Sequence, residues 1–271
     1  MRIVLDVMGG DRPPIDLIQG GVHAARRHDL EILFVGDPEV IGSALATFDA
    51  RDSSRFTILA ADQVITMDER PVQAVRAKRG SSMIVGLEAL RDGRADAFVS
   101  PGNTGAIVAG SLFTLGRLRA IPRPGLAAIL PSLVEREFTL IDVGATVDCT
   151  PEHLLHFALM GATHARAVLG VQDPTVAVLS IGEERGKGNR LVARATTLLD
   201  DAPFRFVGNV EGHQLLLERP ADVVVTDGFT GNVLVKGIEG GVHATTALLR
   251  ASISERLRHK LGALLLRTAF S

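Results

Sequence analysis

Val223-Val224-Val225-Thr226-Asp227-Gly228-Phe229-Thr230-Gly231-Asn232 is a β-branched apolar run that breaks into a polar, glycine-containing turn and then opens a helical pattern near Val233. It reads as a strand, an anion-sized loop and a helix start. Gly228 and Gly231 let the backbone turn with its amides facing inward, the helix terminus adds partial positive charge, and Thr230 and Asn232 offer short side-chain hydrogen bonds. A second segment repeats the design. Ala97-Phe98-Val99 runs into Ser100-Pro101-Gly102-Asn103-Thr104-Gly105-Ala106 and then a small-residue helical pattern. Two such loops in one chain point to a cleft.

Around them, short runs rich in Val, Ile and Phe alternate with longer helical patterns. The strands expected are 2–6, 31–35, 56–60, 95–100, 126–130, 138–143, 175–180, 205–207 and 222–226. Alternation of this kind argues for an α/β fold with a largely parallel sheet covered by helices on both faces. Ligands of such sheets bind beyond the carboxyl ends of the strands. The loops there are polar: Asp6 to Asp11, Gly36-Asp37, Asp142 to Asp148, Gly182 to Asn189, and Gly208 to Glu211. None is a dinucleotide fingerprint or a Walker loop, and no cofactor is expected. Pro122-Arg123-Pro124-Gly125 is the best candidate for a rigid joint, and the chain reads as one domain, 1–271, with two lobes.

The 271 residues suffice to bury a sizeable core. Hydrophobic residues make up 46% and charged residues 22%, yet no apolar run is long enough to cross a bilayer and no signal-peptide layout opens the chain, so a cytoplasmic protein is expected. A formal charge of −2 and the absence of Trp and Tyr argue against nucleic acid as a partner. The single cysteine, Cys149, excludes an intrachain disulfide framework and reads as a small buried hydrophobe rather than a nucleophile.

Lys187 lies between Gly186 and Gly188 shortly after a buried-looking strand, where its ammonium can meet a phosphate or a developing oxyanion; the alternative is a solvated loop lysine. Asn232 stands where a helix would expose unpaired amides, so it is both a candidate ligand donor and a candidate N-cap. Asp6, Asp11, Asp142, Asp148 and Asp227 can gather around a divalent cation, but without a short-spaced ligand motif turn and cap roles are the stronger reading, and no metal is expected. His153 is a possible general base or, more ordinarily, structural. Near the end of the chain Leu249, Ile253, Leu257, Leu261, Leu264 and Leu265 recur at helical spacing, while Arg250, Arg256, Arg258, Lys260 and Arg267 outnumber Glu255. A basic amphipathic helix can lie on an anionic membrane surface or pack on a partner subunit.

Met8-Gly9-Gly10-Asp11, Ser81-Ser82-Met83, Gly102 to Ala106, Asp142 to Ala145, Lys187-Gly188-Asn189 and Thr226 to Asn232, in this order and spacing, closely resemble the bacterial phosphate acyltransferases of phospholipid synthesis, also called acyl-carrier-protein phosphate transacylases. The resemblance implies a three-layer αβα fold related to isocitrate and isopropylmalate dehydrogenases and to phosphate acetyltransferases. It also implies a homodimer that makes acyl phosphate from an acyl carrier protein thioester and inorganic phosphate, for a membrane glycerol-3-phosphate acyltransferase. By the same resemblance Lys187 and Asn232 are the catalytic candidates. Gly10, Asp11, Asn103, Thr104, Gly105, Gly228, Thr230 and Gly231 are the substrate-binding candidates. A helical protrusion over 244–271, with Ile253, Leu257 and Leu261, is expected to meet the membrane peripherally. Three departures stand out. Arg12 replaces the family's usual His and Thr146 its usual Asn, and the family's last apolar strand has no counterpart before Ser271. Two alternatives remain open: a short-chain enzyme acting on coenzyme A thioesters, and a non-catalytic scaffold for carrier protein and membrane.

Overall fold

In each half of the chain the valine- and isoleucine-rich runs pair in parallel, and alternate side chains of each strand enter cores on opposite faces. The computed structural model describes residues 1–50, 53–134 and 136–265. It divides into two units, Met1–Pro122 and Arg123–Ser271. The division falls within the proline-rich stretch that opens at Pro122.

The first unit runs β1 (Arg2–Asp6), α1 (Pro14–His28), β2 (Glu31–Gly36), α2 (Pro38–Thr47), β3 (Phe56–Ala60), α3 (Pro71–Ala77), α4 (Ser82–Arg91), β4 (Ala97–Val99) and α5 (Thr104–Thr114). Its sheet has the order β3-β2-β1-β4, all parallel. Along β2, Ile32 and Phe34 join a core with Ile18, Val22 and Ile41 of α1 and α2, while Leu33 and Val35 join Val4 and Ala89 on the other face. That is the period-two alternation of a strand buried on both sides.

The second unit runs β5 (Ala127–Leu130), β6 (Phe138–Ile141), α6 (Pro151–Ala167), β7 (Thr175–Ser180), α7 (Arg190–Asp200), β8 (Arg205–Glu211), α8 (Gln214–Leu217), β9 (Val223–Val225), α9 (Gly228–Ser254) and α10 (Leu257–Leu265). The strand order is β5-β6-β9-β7-β8, with only β5 antiparallel to its neighbour. Val223 and Val225 pack against α6 and α7 with Phe157 and Leu199, whereas Val224 faces Leu215 and the start of α9 through Leu234. All three valines are fully buried, each contributing about 1.5–3 kcal/mol. Both units are therefore helix-sheet-helix layers, as the alternation of runs predicts, with the strands shared between two sheets.

All nine expected runs form strands, with changes at their ends. The first unit's last strand shortens to Ala97–Val99, and Gly208 to Glu211, expected as a loop, lies inside β8. The leucine series beginning at Leu249 is divided between two helices, because α9 ends at Ser254 and α10 starts at Leu257.

β9 is the last strand to enter its sheet, and it fits between β6 and β7. Asp222, directly before it, fixes that insertion. Its backbone carbonyl accepts from the Thr139 N–H at 2.9 Å, and its Oδ2 accepts from both the N–H and the hydroxyl of Thr175 at 2.7 Å. Its Oδ1 pairs with the Arg219 guanidinium. Burial pushes the Asp222 carboxyl up, but the Thr175 bonds and Arg219 outweigh it and hold the group below the usual carboxylate range. Its stabilisation is present above the unfolded value near pH 4 and is lost as pH falls through the lower folded value. Asp222→Asn is expected to cost about 2–3 kcal/mol at pH 7 and to flatten the acid limb of a stability-versus-pH curve measured by urea unfolding. An unchanged acid limb would rule out this carboxylate as its source.

Candidate active site

The parallel strands of the second unit place three loops side by side at their carboxyl ends: Asp142 to Thr146 after β6, Thr226-Asp227 after β9, and Ile181 to Asn189 after β7. The buried Asp142 organises the first. Its Oδ1 accepts N–H bonds from Leu126, Gly144 and Ala145 at 2.9, 3.0 and 2.9 Å, and its Oδ2 accepts from Thr146 at 2.7 Å. Thr146 O in turn accepts from the Gly228 N–H at 2.9 Å, joining this loop to the first turn of α9.

That helix begins earlier than the sequence predicts. Asp227 is its N-cap, with Oδ1 accepting from the Thr230 N–H at 2.8 Å and Oδ2 from the Thr230 hydroxyl at 2.8 Å. Asn232 is therefore not a cap. It lies in the second turn, half-buried, and its Nδ2 donates to Val143 O at 3.1 Å. Gly228 and Gly231 act by allowing close approach rather than by turning the chain. A Cβ on Gly228 would lie 2.7 Å from Thr146 O, and one on Gly231 would collide with the Asp142 carbonyl oxygen. Gly144, at φ 144°, leaves room for the Asn232 amide, whose Nδ2 would lie 2.8 Å from a Cβ there.

Lys187 is exposed, and among the described residues its ammonium forms no ion pair, whereas Arg185 in the same loop pairs with Asp200 at 2.7 Å. Its stem folds over the buried Gly182, where a Cβ would come within 3.0 Å of Lys187 Cγ. Gly182 is a residue that sequence reasoning did not single out; a glycine two residues after a buried strand and five before the lysine is the signal. Lys187 and Asn232 thus share one strand edge, Lys187 on the loop after β7 and Asn232 in the second turn of the helix that follows the neighbouring strand β9.

The first-unit candidates are mainly architectural. Asp6 Oδ1 accepts from the N–H groups of Met8 and Gly9 at 3.0 and 3.1 Å, and its Oδ2 from the Ser100 hydroxyl at 2.8 Å. Gly10, at φ 81°, packs on Pro101, where a Cβ would lie 2.8 Å from the carbonyl oxygen. Asn103 caps α5 through the Ala106 N–H and donates Nδ2 to Met67 O and Glu69 O at 3.1 and 3.2 Å, so its amide is committed. Gly105 packs on Pro71. Asp11 and Thr104 are exposed, in the segments that follow β1 and β4 of the first unit.

The five aspartates considered for a cation divide between the two units, and among the described residues no group of three or more His, Cys, Asp or Glu is arranged to hold a metal. His153 is a cap: its Nδ1 accepts from the Thr150 N–H at 3.2 Å, its ring stacks on Phe157, and burial followed by Arg123 and His156 pushes its pKa down. Cys149 donates its thiol to Thr146 O at 3.2 Å, and burial pushes it up to about 11, so it is not a thiolate at neutral pH. Ile253 is 38% exposed, while the side chains of Leu257, Leu261, Leu264 and Leu265 and all of Arg267 lie outside the described residues. A cavity of about 580 Å³ lined by Arg136, Val168, Gln172 and Arg219 sits at the opposite, amino ends of the strands, away from this edge.

Gly231→Ala is expected to cost at least about 2–3 kcal/mol, because the new methyl meets backbone rather than a movable side chain. Gly237→Ala, in the same helix with open space around it, should be neutral or stabilising by up to about 1 kcal/mol. Denaturant midpoints decide; equal effects at the two positions would refute the close-packing argument.

The pattern of the family described as fatty acid synthesis protein matches residues 1–271. The phosphate acyltransferase of Heliobacterium modesticaldum is 46% identical over 265 residues, covering 98% of this chain and 78% of that relative. The phosphate acyltransferase of Myxococcus xanthus is 47% identical over 275 residues, covering 100% and 77%. In fold, the chain is similar to a phosphotransacetylase from Staphylococcus aureus, with a TM-score of 0.60 and 16% identity over 87% of this chain and 80% of that one. It is also similar to a branched-chain phosphotransacylase from Enterococcus faecalis, with a TM-score of 0.59 and 17% identity over 88% and 84%. The chain belongs to the fatty acid synthesis protein family that includes these phosphate acyltransferases, a family of acyltransferase enzymes.

Proposed function

We propose that this acyltransferase moves the acyl group of an acyl carrier protein thioester to inorganic phosphate, releasing acyl phosphate for a membrane glycerol-3-phosphate acyltransferase in phospholipid synthesis. The observation that carries the reading is the Lys187 ammonium, without a counter-ion among the described residues, at the strand edge that also holds the Asn232 amide. A phosphate oxygen attacks the thioester carbonyl carbon, and the carbonyl electron pair moves onto oxygen. The tetrahedral oxyanion collapses with breakage of the C–S bond, and the departing thiolate takes the proton of the phosphate. Lys187 offsets charge on phosphate or oxyanion, and the second N–H of the Asn232 amide, not used by Val143, orients the reacting groups. No protein nucleophile is needed, in keeping with a Cys149 thiol pushed up to about 11.

The test is thiol release from palmitoyl acyl carrier protein with and without phosphate, trapping the product with hydroxylamine. Phosphate-dependent release with hydroxamate formation is expected, and Lys187→Ala should lower turnover roughly 10²- to 10³-fold while the melting temperature holds. Phosphate-independent release would sink the transacylase reading, and an unaffected Lys187→Ala would remove that residue from it.

The partner reading rests on α9. Every residue from Glu239 to Arg256 is exposed, including Val242, Leu248, Leu249 and Ile253, so this stretch gains little from packing on its own chain. A second copy and an anionic membrane surface are the covers proposed; among the described residues no helix is long and apolar enough to cross a bilayer. Leu249→Glu is expected to weaken co-sedimentation with phosphatidylglycerol vesicles, to shift sedimentation equilibrium toward monomer, or to do both. Neither change would place Leu249 outside both contacts.

A further inference from the structure

The β7–β8 ladder contains an irregularity that reaches the Lys187 loop. Val176 pairs with Phe206 and Ala177 with Gly208, leaving Val207 as an extra residue, a β-bulge. Gly208 has φ +98°, and nothing lies within 4 Å of where its Cβ would be, so the glycine answers the backbone conformation rather than a lack of room. The extra residue reverses the alternation of the strand. Phe206 packs with the core under α6 and α7, but Val210, which regular alternation would place on the same face, joins the opposite core. Asn209 is turned the other way, opposite Val178 and toward the side from which the loop between β7 and α7 departs.

There Asn209 is 9% exposed, and its Nδ2 donates to Glu184 O at 3.0 Å and Lys187 O at 3.3 Å. Those are the two ends of the turn closed by the Lys187 N–H and Glu184 O at 3.1 Å. Both amide hydrogens are committed to the loop, while Oδ1 is buried without a partner among the described residues. An orphaned acceptor in a valine-rich sheet costs stability, so an apolar residue would serve the core better. What Asn209 alone supplies is a two-point hold on the segment that aims Lys187.

We infer that Asn209 is a positioning residue for Lys187: delivered by the bulge at Val207-Gly208, it fixes the turn that presents the ammonium. This rests on the role given to Lys187 above. The experiment compares wild type with Asn209→Ala, Asn209→Asp, Lys187→Ala and the double variant Asn209→Ala/Lys187→Ala. It measures the KM for phosphate, kcat, the thermal midpoint, and the rate of tryptic cleavage after Arg185 and Lys187 under native conditions. Asn209→Asp keeps shape but sets a carboxylate against two carbonyl oxygens, and it guards against an unfolded alanine variant. Both single Asn209 variants should cleave at least fivefold faster in this loop and raise the KM for phosphate tenfold or more. In the Lys187→Ala background the Asn209 change should alter kinetics less than twofold, because it has nothing left to position. Unchanged loop cleavage in both Asn209 variants overturns the inference. So does an Asn209 effect of full size in the Lys187→Ala background. Faster cleavage together with wild-type kinetics in Lys187→Ala upholds the hold on the loop and overturns instead the role of Lys187 in the proposed reaction.

Discussion

A carboxylate with no exposed surface holds the strand ends of the second unit together. Asp142 would be costly to bury alone, and four backbone N–H donors offset that cost. The arrangement has consequences outward. Wrapping Gly144, Ala145 and Thr146 around the carboxylate turns Thr146 O toward the Gly228 N–H, and the backbone of Asp142 itself abuts Gly231. The first turn of α9 is thereby docked on two backbone surfaces, and Asn232, one residue further along, lands with its amide on Val143 O. Removing the carboxylate would leave four donors competing for water that this buried position does not supply.

The first unit uses the same device for a different end. Asp6 also closes a β1 strand by gathering amides, but its second oxygen takes the Ser100 hydroxyl, so it ties β1 to its sheet neighbour β4. Ser100 Oγ then accepts from the Gly102 N–H at 3.1 Å. Glycine at positions 9 and 102 permits the contact, since a Cβ on Gly9 would lie 3.0 Å from the Gly102 Cα. With Asn103 bound to the Met67 and Glu69 carbonyls, this loop is a structural knot, and its polar composition reflects internal hydrogen bonding.

This explains which parts were legible in the sequence. Strands such as Val223 to Val225 announce themselves because both faces are buried and the whole run must be apolar. The start of α9 was not legible. Asp227-Gly228-Phe229-Thr230-Gly231 has the composition of a loop, and two glycines in a first helical turn lower helix propensity; only the tertiary approach of Thr146 and Asp142 explains them. The reach of β8 past Val207 was hidden for a related reason. Gly208-Asn209 reads as a turn, although an isolated glycine beside a strand run is also the mark of a bulge. The flanking glycines mark Lys187 as an accessible loop lysine, as its exposure bears out, yet its stem's seat on Gly182 depends on a fold in the loop that local sequence does not encode. The leucines after Leu249 showed their helical period but not the break at Glu255-Arg256.

The glycine-rich loops after β6 and β9 have the composition of backbone cradles for an anion, yet the protein's own carboxylates take several of their amides. Asp142 takes the amides of Gly144, Ala145 and Thr146, while Asp227 takes that of Thr230 and complements the α9 dipole. In the proposed reaction a phosphate at this edge therefore relies in large part on side chains. One charge-assisted hydrogen bond contributes about 1.5–3 kcal/mol, roughly a 10- to 150-fold preference, far less than a full nest of amides would supply. For the proposed reaction weak ground-state hold is an advantage. Phosphate brings its charge already formed, and an enzyme that gripped it tightly would stabilise reactant as much as transition state. In that proposed reaction a single ammonium on a turn held at two points would favour the stage at which charge moves from phosphate onto the thioester oxygen, provided the turn does not relax as it moves.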